Sequence, residues 1–213
     1  MFDNVPAKKG KIFLEDLKKL PSNVEVWTYD KQDSNDYGFK YNKSFFTEGT
    51  KKRVKEALGT DDIVDVAFVA NNKGREAIIK NVYTNLKKYG LRLYFYVLNA
   101  EGLIENRCID NKTLDYGDYL KILNKSRAVL DIVNNGNYGL TLRVLESLVA
   151  KKKLITNYLD IKEFDFYNSN NIFLIGEDDW EEIVEFLSTP YDEISEDIIE
   201  SYSESAWIDR FLA

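Results

Sequence analysis

The chain has 213 residues, 44% hydrophobic and 14% aromatic, which supplies enough apolar material for one sizeable core. Its 36 acidic and 29 basic side chains give a formal net charge of −7 with no dense basic stripe to displace phosphate counterions, which argues against a general nucleic-acid binder. It has no histidine and one cysteine, which excludes a Ser-His-Asp or Cys-His site, most zinc sites and a disulfide framework within the chain.

In chain order, residues 1–11 read as loosely ordered, and 12–20 as a short helix ended by Pro21. Residues 24–29 (VEVWTY) alternate as a strand does. Residues 30–43 are polar, rich in Asp, Asn and Gly, and read as a loop. The chain turns aromatic over 41–46, and Gly49-Thr50 leads into a helix over 51–58. Residues 1–60 are thin in core residues and do not make a complete domain. From Asp61 the pattern is regular. A strand over 63–70 (IVDVAFVA) is followed by an amphipathic helix over 74–89, with Ile78, Ile79, Val82, Tyr83 and Leu86 on one face and Gly90 as its C-cap. A strand over 91–98 follows. Residues 99–115 are irregular, with one extended piece near 103–109. A helix over 116–123 leads to a β-branched strand over 128–133 (AVLDIV), a polar loop over 134–139, a helix over 140–150 and a strand over 153–156. A short segment over 161–167, a strand over 171–175 (NIFLI) and two helices, 180–187 and 194–211, close the chain around Pro190.

Strands that alternate with helices imply a parallel sheet covered on both faces: an α/β, Rossmann-like domain preceded by a short incomplete N-terminal segment. In such sheets ligands bind at the carboxyl ends of the strands, at the switch point in strand order. The candidate loops are therefore 70–75 and 134–139. The second holds two glycines and three asparagines, more positive-φ capacity than a tight connection needs, and aims helix N–H groups at one point. The bland alternative is a β-α-β unit without a ligand. Lys73 and Arg75 flank Gly74 where a helix opens and suit a diphosphate, or are simply solvated helix-start residues. Neither G-x-G-x-x-G nor a Walker A motif is present. Arg143 and Glu146 share a helix face. Glu146 has Leu142, Leu145, Leu148 and Val149 around it, which points to a partly buried carboxylate able to take ribose hydroxyls. Asp131 either lines the cleft or caps a backbone N–H. Tyr116 and Tyr138 either stack on a base or pack. Lys151-Lys-Lys153 reads as a helix C-terminal cap, and Cys108 as a small buried apolar residue. The lone cysteine fits a reducing cytoplasm. No apolar run reaches ~18 residues, so no transmembrane helix is expected. The opening MFDNVPAKKGK lacks the apolar centre of a secretory signal.

The run SRAVLDIVNNGNYGLTLRVLESLVAKKKLIT resembles the donor-binding half of GT-B-fold glycosyltransferases, closest to bacterial ones of lipopolysaccharide, capsule or exopolysaccharide synthesis. The upstream FVANNKGREAIIKNVYTNLKKYGLRLYFYVL is similar to the first β-α-β of that domain. Downstream, FDFYNSNNIFLI and YSESAWIDRFL extend the likeness, which covers about residues 64–212. The resemblance implies one half of a GT-B fold over 61–213, with 1–60 a remnant of an acceptor domain. It implies a nucleotide-sugar donor, a saccharide or lipid-linked saccharide acceptor, and no bound metal or other cofactor. Glu146 matches the family's ribose-binding Glu. Lys73 and Arg75, with Arg143, are implied for the diphosphate, which would lie at the helix starts near Gly74 and Gly139–Thr141. Many retaining members carry a Glu eight positions before the ribose-binding one; here it is Tyr138, a donor-side residue of different chemistry. No catalytic residue is assigned. A lipid-linked acceptor would bring a cytoplasmic protein to the inner face of the membrane without an anchor of its own. The alternative function is a non-catalytic α/β binding or scaffold module. A receiver-like regulator would show an acidic cluster where Asn71-Asn72-Lys73 stands.

Overall fold

The computed structural model describes residues 16, 17, 19–56, 64–108, 110–134 and 139–212. Most of the helix expected over 12–20 lies outside them. The N-terminal part is a small β-α-β unit: strand β1 (Trp27–Thr28), helix α1 (Lys31–Tyr37) and strand β2 (Lys40–Tyr41), the two strands parallel. Residues 30–43 are thus not a loop. The residues that read as turn formers are its caps: the Asp30 side chain accepts from Gln32 and Asp33 N–H, and Gly38 closes α1 at φ 70°. Helix α2 (Glu48–Glu56) follows and buries Val54.

Strands β3 (Val64–Asn71), β4 (Leu93–Leu98), β5 (Ser126–Asp131), β6 (Lys153–Thr156) and β7 (Ile172–Leu174) form one parallel sheet in the order β4-β3-β5-β6-β7. Helices α3 (Glu76–Lys88), α4 (Tyr116–Asn124) and α5 (Leu142–Val149) make the crossovers. A 3₁₀ turn (Leu159–Glu163) follows β6, and another (Trp180–Glu182) opens α6 (Ile183–Ser188). Among its described residues, the segment over 103–109 adds no strand. Instead the Asn106 side chain accepts from Val97 N–H at 2.9 Å and donates to Val97 C=O at 2.6 Å, while Arg107 N–H reaches Phe95 C=O at 2.8 Å.

Side chains alternate across each strand, so each strand feeds two cores. On one face Val66, Phe68, Phe95, Ala128, Leu130 and Phe173 meet Ile79, Val82 and Leu86 of α3 and Ile183 of α6. On the other, Leu154, Ile172 and Leu174 meet Val144, Leu145 and Leu148 of α5, together with Phe46 and Tyr202. A third cluster joins Val54 of α2 to Leu120 and Leu123 of α4 and to Val129. The N-terminal part is thus built into the cores.

The helix expected over 194–211 is split into α7 (Glu196–Glu200) and α8 (Glu204–Asp209). The break has a tertiary cause: Phe46 N–H bonds Tyr202 C=O at 2.9 Å, and Ser203 caps α8 by accepting from Ala206 N–H at 3.2 Å. The lysine run is also placed differently. Lys153 is a buried strand residue whose ammonium bonds Thr189 Oγ1 at 2.6 Å and the Phe186 carbonyl, so it serves the end of α6 rather than α5.

Candidate functional site

The order β4-β3-β5 puts the switch point between β3 and β5, where the chain leaves in opposite directions. The loop expected over 70–75 and the described ends of the loop expected over 134–139 meet there. After β3, Lys73 (φ 49°) and Gly74 (φ 76°) are both left-handed, and a Cβ on Gly74 would meet nothing within 4 Å. Gly74 therefore serves the backbone conformation and leaves open space. Lys73 is exposed. The loop is fixed by asparagines: Asn72 Oδ1 accepts from Arg75 N–H at 3.0 Å, and Asn72 Nδ2 donates to the Asn99 carbonyl at 2.8 Å.

Arg75 bridges the crevice. Its Nε donates to Asn72 C=O at 3.0 Å, and its two terminal nitrogens donate to the carbonyls of Asn71 and Ile132, one from each side. Burial, and then the charge of Arg143, push the Arg75 pKa down. Arg143 donates to Asp131 Oδ1 at 2.6 Å and to the Val69 carbonyl at 2.8 Å. Thr141, the N-cap of α5, donates its hydroxyl to the same Asp131 oxygen at 3.1 Å. Asp131 is 0% exposed. Its Oδ2 and the Nε of Arg143 are buried with no hydrogen-bond partner among the described residues. Two guanidinium groups thus converge there, Arg143 paired with Asp131 and Arg75 bonded to backbone carbonyls, with the carboxylates of Glu76 and Glu146 nearby.

Gly139 is needed for a different reason than Gly74. Its φ is not positive, yet a Cβ there would lie 2.3 Å from Tyr29 Cδ2 and 2.6 Å from Cε2. The ring of Tyr29, from the N-terminal part, lies on it, and Ser44 Oγ donates to the next carbonyl, Leu140 C=O, at 3.1 Å. Tyr138 and the loop residues 135–137 lie outside the described residues.

Glu146 is 6% exposed and lies on the side of α5 that faces α4. Tyr116 donates to its Oε1 at 2.9 Å and Tyr119 to its Oε2 at 2.6 Å. Burial raises the Glu146 pKa, and the two tyrosine hydrogen bonds with the charge of Arg143 counter only part of that. Tyr116 also meets the N-terminal part: its hydroxyl is 3.3 Å from Thr50 Oγ1, and the Arg53 guanidinium is 5.7 Å from its ring.

The structure therefore brings Lys73, Gly74, Arg75, Thr141 and Arg143 to one crevice. It places Gly139 beneath Tyr29 and gives Glu146 two tyrosine partners. Tyr119 and Tyr29 escaped the sequence reading. Tyr119 left a signal, since it stands three residues after Tyr116 and shares its helix face; the approach of Tyr29 to Gly139 left none. Among the described residues no group of three His, Cys, Asp or Glu side chains forms a metal site, and no helix is long and apolar enough to cross a membrane.

No family model and no curated protein sequence matches this chain. Solved structures do. AviGT4, a glycosyltransferase involved in avilamycin A biosynthesis, superposes with a TM-score of 0.61 at 12% identity, over 87% of this chain and 61% of that one. The UDP-GlcNAc 2-epimerase of Methanocaldococcus jannaschii gives 0.41 at 12% identity, over 78% and 48%. The C-terminal domain of a group 1 family glycosyl transferase of Francisella tularensis gives 0.35 at 12% identity, over 67% and 82%. Of these three, AviGT4 carries the likeness, and at this identity it is a likeness of fold. The architecture is the Rossmann-like α/β half of a GT-B fold, in a chain that spans 61% of AviGT4's length.

Proposed function

We propose that the chain is the donor-binding half of a GT-B-type glycosyltransferase, which moves a sugar from a nucleotide-sugar donor to a saccharide or lipid-linked saccharide in bacterial surface polysaccharide synthesis. The β3/β5 crevice carries this reading: the Arg75 and Arg143 guanidinium groups converge there, beside exposed Lys73 and the start of α3, in a fold shared with a glycosyltransferase. A diphosphate suits such a place, because helix-start N–H groups and guanidinium forks both favour it and stabilise it as a leaving group. Lys73, Gly74 and Arg75 would face it from the β3 side, Gly139, Thr141 and Arg143 from the β5 side, with Tyr138 in the intervening loop and Glu146 taking the ribose. Residues 61–213 would then be the donor domain and 1–60 the remnant of an acceptor domain. Work on a lipid-linked acceptor would bring the protein to the inner membrane face.

The test is thermal denaturation with UDP, GDP, ADP, CMP and their common sugars. A ligand that binds only the folded state adds about 2.7 kcal/mol at 100 times its Kd. Stabilisation by one base, lost in Lys73→Ala, supports the reading and names the nucleotide. No shift with any of them overturns it and leaves the second reading, a non-catalytic α/β binding module. Tyr29 on Gly139 and the tyrosines on Glu146 are the observations that favour that second reading.

A further inference from the structure

Each oxygen of Glu146 accepts one hydroxyl, and the two hydroxyls come from residues three apart on the first turn of α4, whose rings lie 5.9 Å apart. One carboxylate holding two neighbouring hydroxyls, one per oxygen, is also the pattern in which a carboxylate receives the cis-diol of a ribose. A carboxylate as enclosed as Glu146 is costly without donors, so something must occupy both oxygens when no ligand does. Tyr116 is the better placed of the two to leave: Leu120 and Leu123 anchor α4 in the core, Tyr116 at its first turn is half-buried, and the Tyr119 hydroxyl is more enclosed, burial pushing its pKa well up.

We propose that Tyr116 and Tyr119 stand in for the vicinal diol of a nucleoside, capping Glu146 until a ribose-bearing ligand displaces them. This rests on the reading of the crevice as a nucleotide-sugar donor site. The exchange is hydroxyl for hydroxyl, so Glu146 stays bonded in both states and no covalent bond changes. The capped state lowers apparent affinity by the fraction of molecules in which Glu146 is free. A ligand with one ribose hydroxyl cannot replace both tyrosines, so the device also selects for an intact diol.

The experiment is calorimetric titration of the full chain and of the Tyr116→Phe/Tyr119→Phe variant with UDP, GDP, ADP and CDP, and with their 2′,3′-dideoxy forms. Removing the competing hydroxyls is expected to tighten binding of the ribose form by at least about threefold, with no gain for the dideoxy form. Equal or weaker binding by the variant, or a gain that persists with the dideoxy nucleotide, overturns the cap while wild-type binding leaves the donor reading intact. Absence of binding to either protein overturns both. If the double variant does not fold, hydrogen exchange on the wild type decides. Faster exchange over 116–119 on binding a diphosphate is the expected result, and unchanged or slower exchange on binding overturns the cap.

Discussion

At the scale of single residues, the crevice is a set of buried charges whose partners set the cost of losing them. Asp131 is fully enclosed and holds Arg143 and Thr141 on one oxygen. Asp131→Ala strands the Arg143 guanidinium, and breaking a buried pair in this way costs about 3–5 kcal/mol; urea unfolding of the variant measures it. Glu146 separates two effects. Glu146→Ala leaves two tyrosine hydroxyls unpaired and is expected to cost ~1–3 kcal/mol. Glu146→Gln removes the ionisation instead. Burial holds the folded carboxyl above its usual value despite the tyrosine bonds. The folded state therefore binds the proton more tightly than the unfolded one. Stability contributed by the protonated form is lost as pH rises from about 4.3, the unfolded value, through the higher folded value. The Gln variant is expected to lose that dependence, so its stability relative to wild type grows with pH across the window. Denaturant midpoints taken from acid to neutral pH check it.

At the scale of elements, the β-α-β alternation and the loop over 70–75 were legible because their signals are local. A β-branched run such as AVLDIV, a helix face three and four apart, and Gly or Asn at a strand end each act over a few residues. Helix α1 was hidden because Asp30 and Gly38 look alike as turn formers and as caps. The split between α7 and α8 was hidden because the Phe46 N–H that takes the Tyr202 carbonyl lies far away in sequence. The partners of Glu146 and Gly139 are long-range contacts of the same kind. Gly139→Ala forces the Tyr29 ring to shift and is expected to cost about 1–3 kcal/mol, the scale of overpacking. Combined with Tyr29→Ala, that penalty should shrink, and a double-mutant cycle reads the coupling. The start of β3 makes a pH prediction of opposite sign. Burial pushes the Asp65 carboxyl up, but the hydrogen bonds and charge of Arg92, at 2.9 and 3.1 Å, outweigh it and hold the pKa below the usual range. That stability is present above the unfolded value of about 3.9 and is lost as pH falls through the folded value. Arg92 is half exposed, so solvent screening limits the pair to about 1 kcal/mol or less. Arg92→Met should lower stability at neutral pH by up to about 1 kcal/mol and flatten the acid limb, so that the variant and the wild type converge as pH falls, which denaturant midpoints across that range check.

At the scale of the whole molecule, the N-terminal part belongs to the cores. Phe46 sits with Leu145 and Tyr202, and Val54 with Leu120 and Val129. Deleting residues 1–56 removes, among the described residues, two buried apolar side chains, Phe46 and Val54, worth about 2–5 kcal/mol each, and uncovers Tyr116 and Gly139. The remainder is expected to bind hydrophobic dye and to lose its sharp thermal transition, which dye fluorescence and calorimetry test together. The opposite flank of the sheet has a consequence of another kind. There Asn106 occupies the outward N–H and C=O of Val97 with one amide group, and Arg107 occupies the Phe95 carbonyl. Unclaimed, those groups are a template on which a strand from another molecule can add. A single side chain is therefore expected to keep that stretch of edge closed to a partner strand. Asn106→Ala is expected to leave the monomer folded but to make it self-associate as concentration rises, which light scattering over a dilution series would detect.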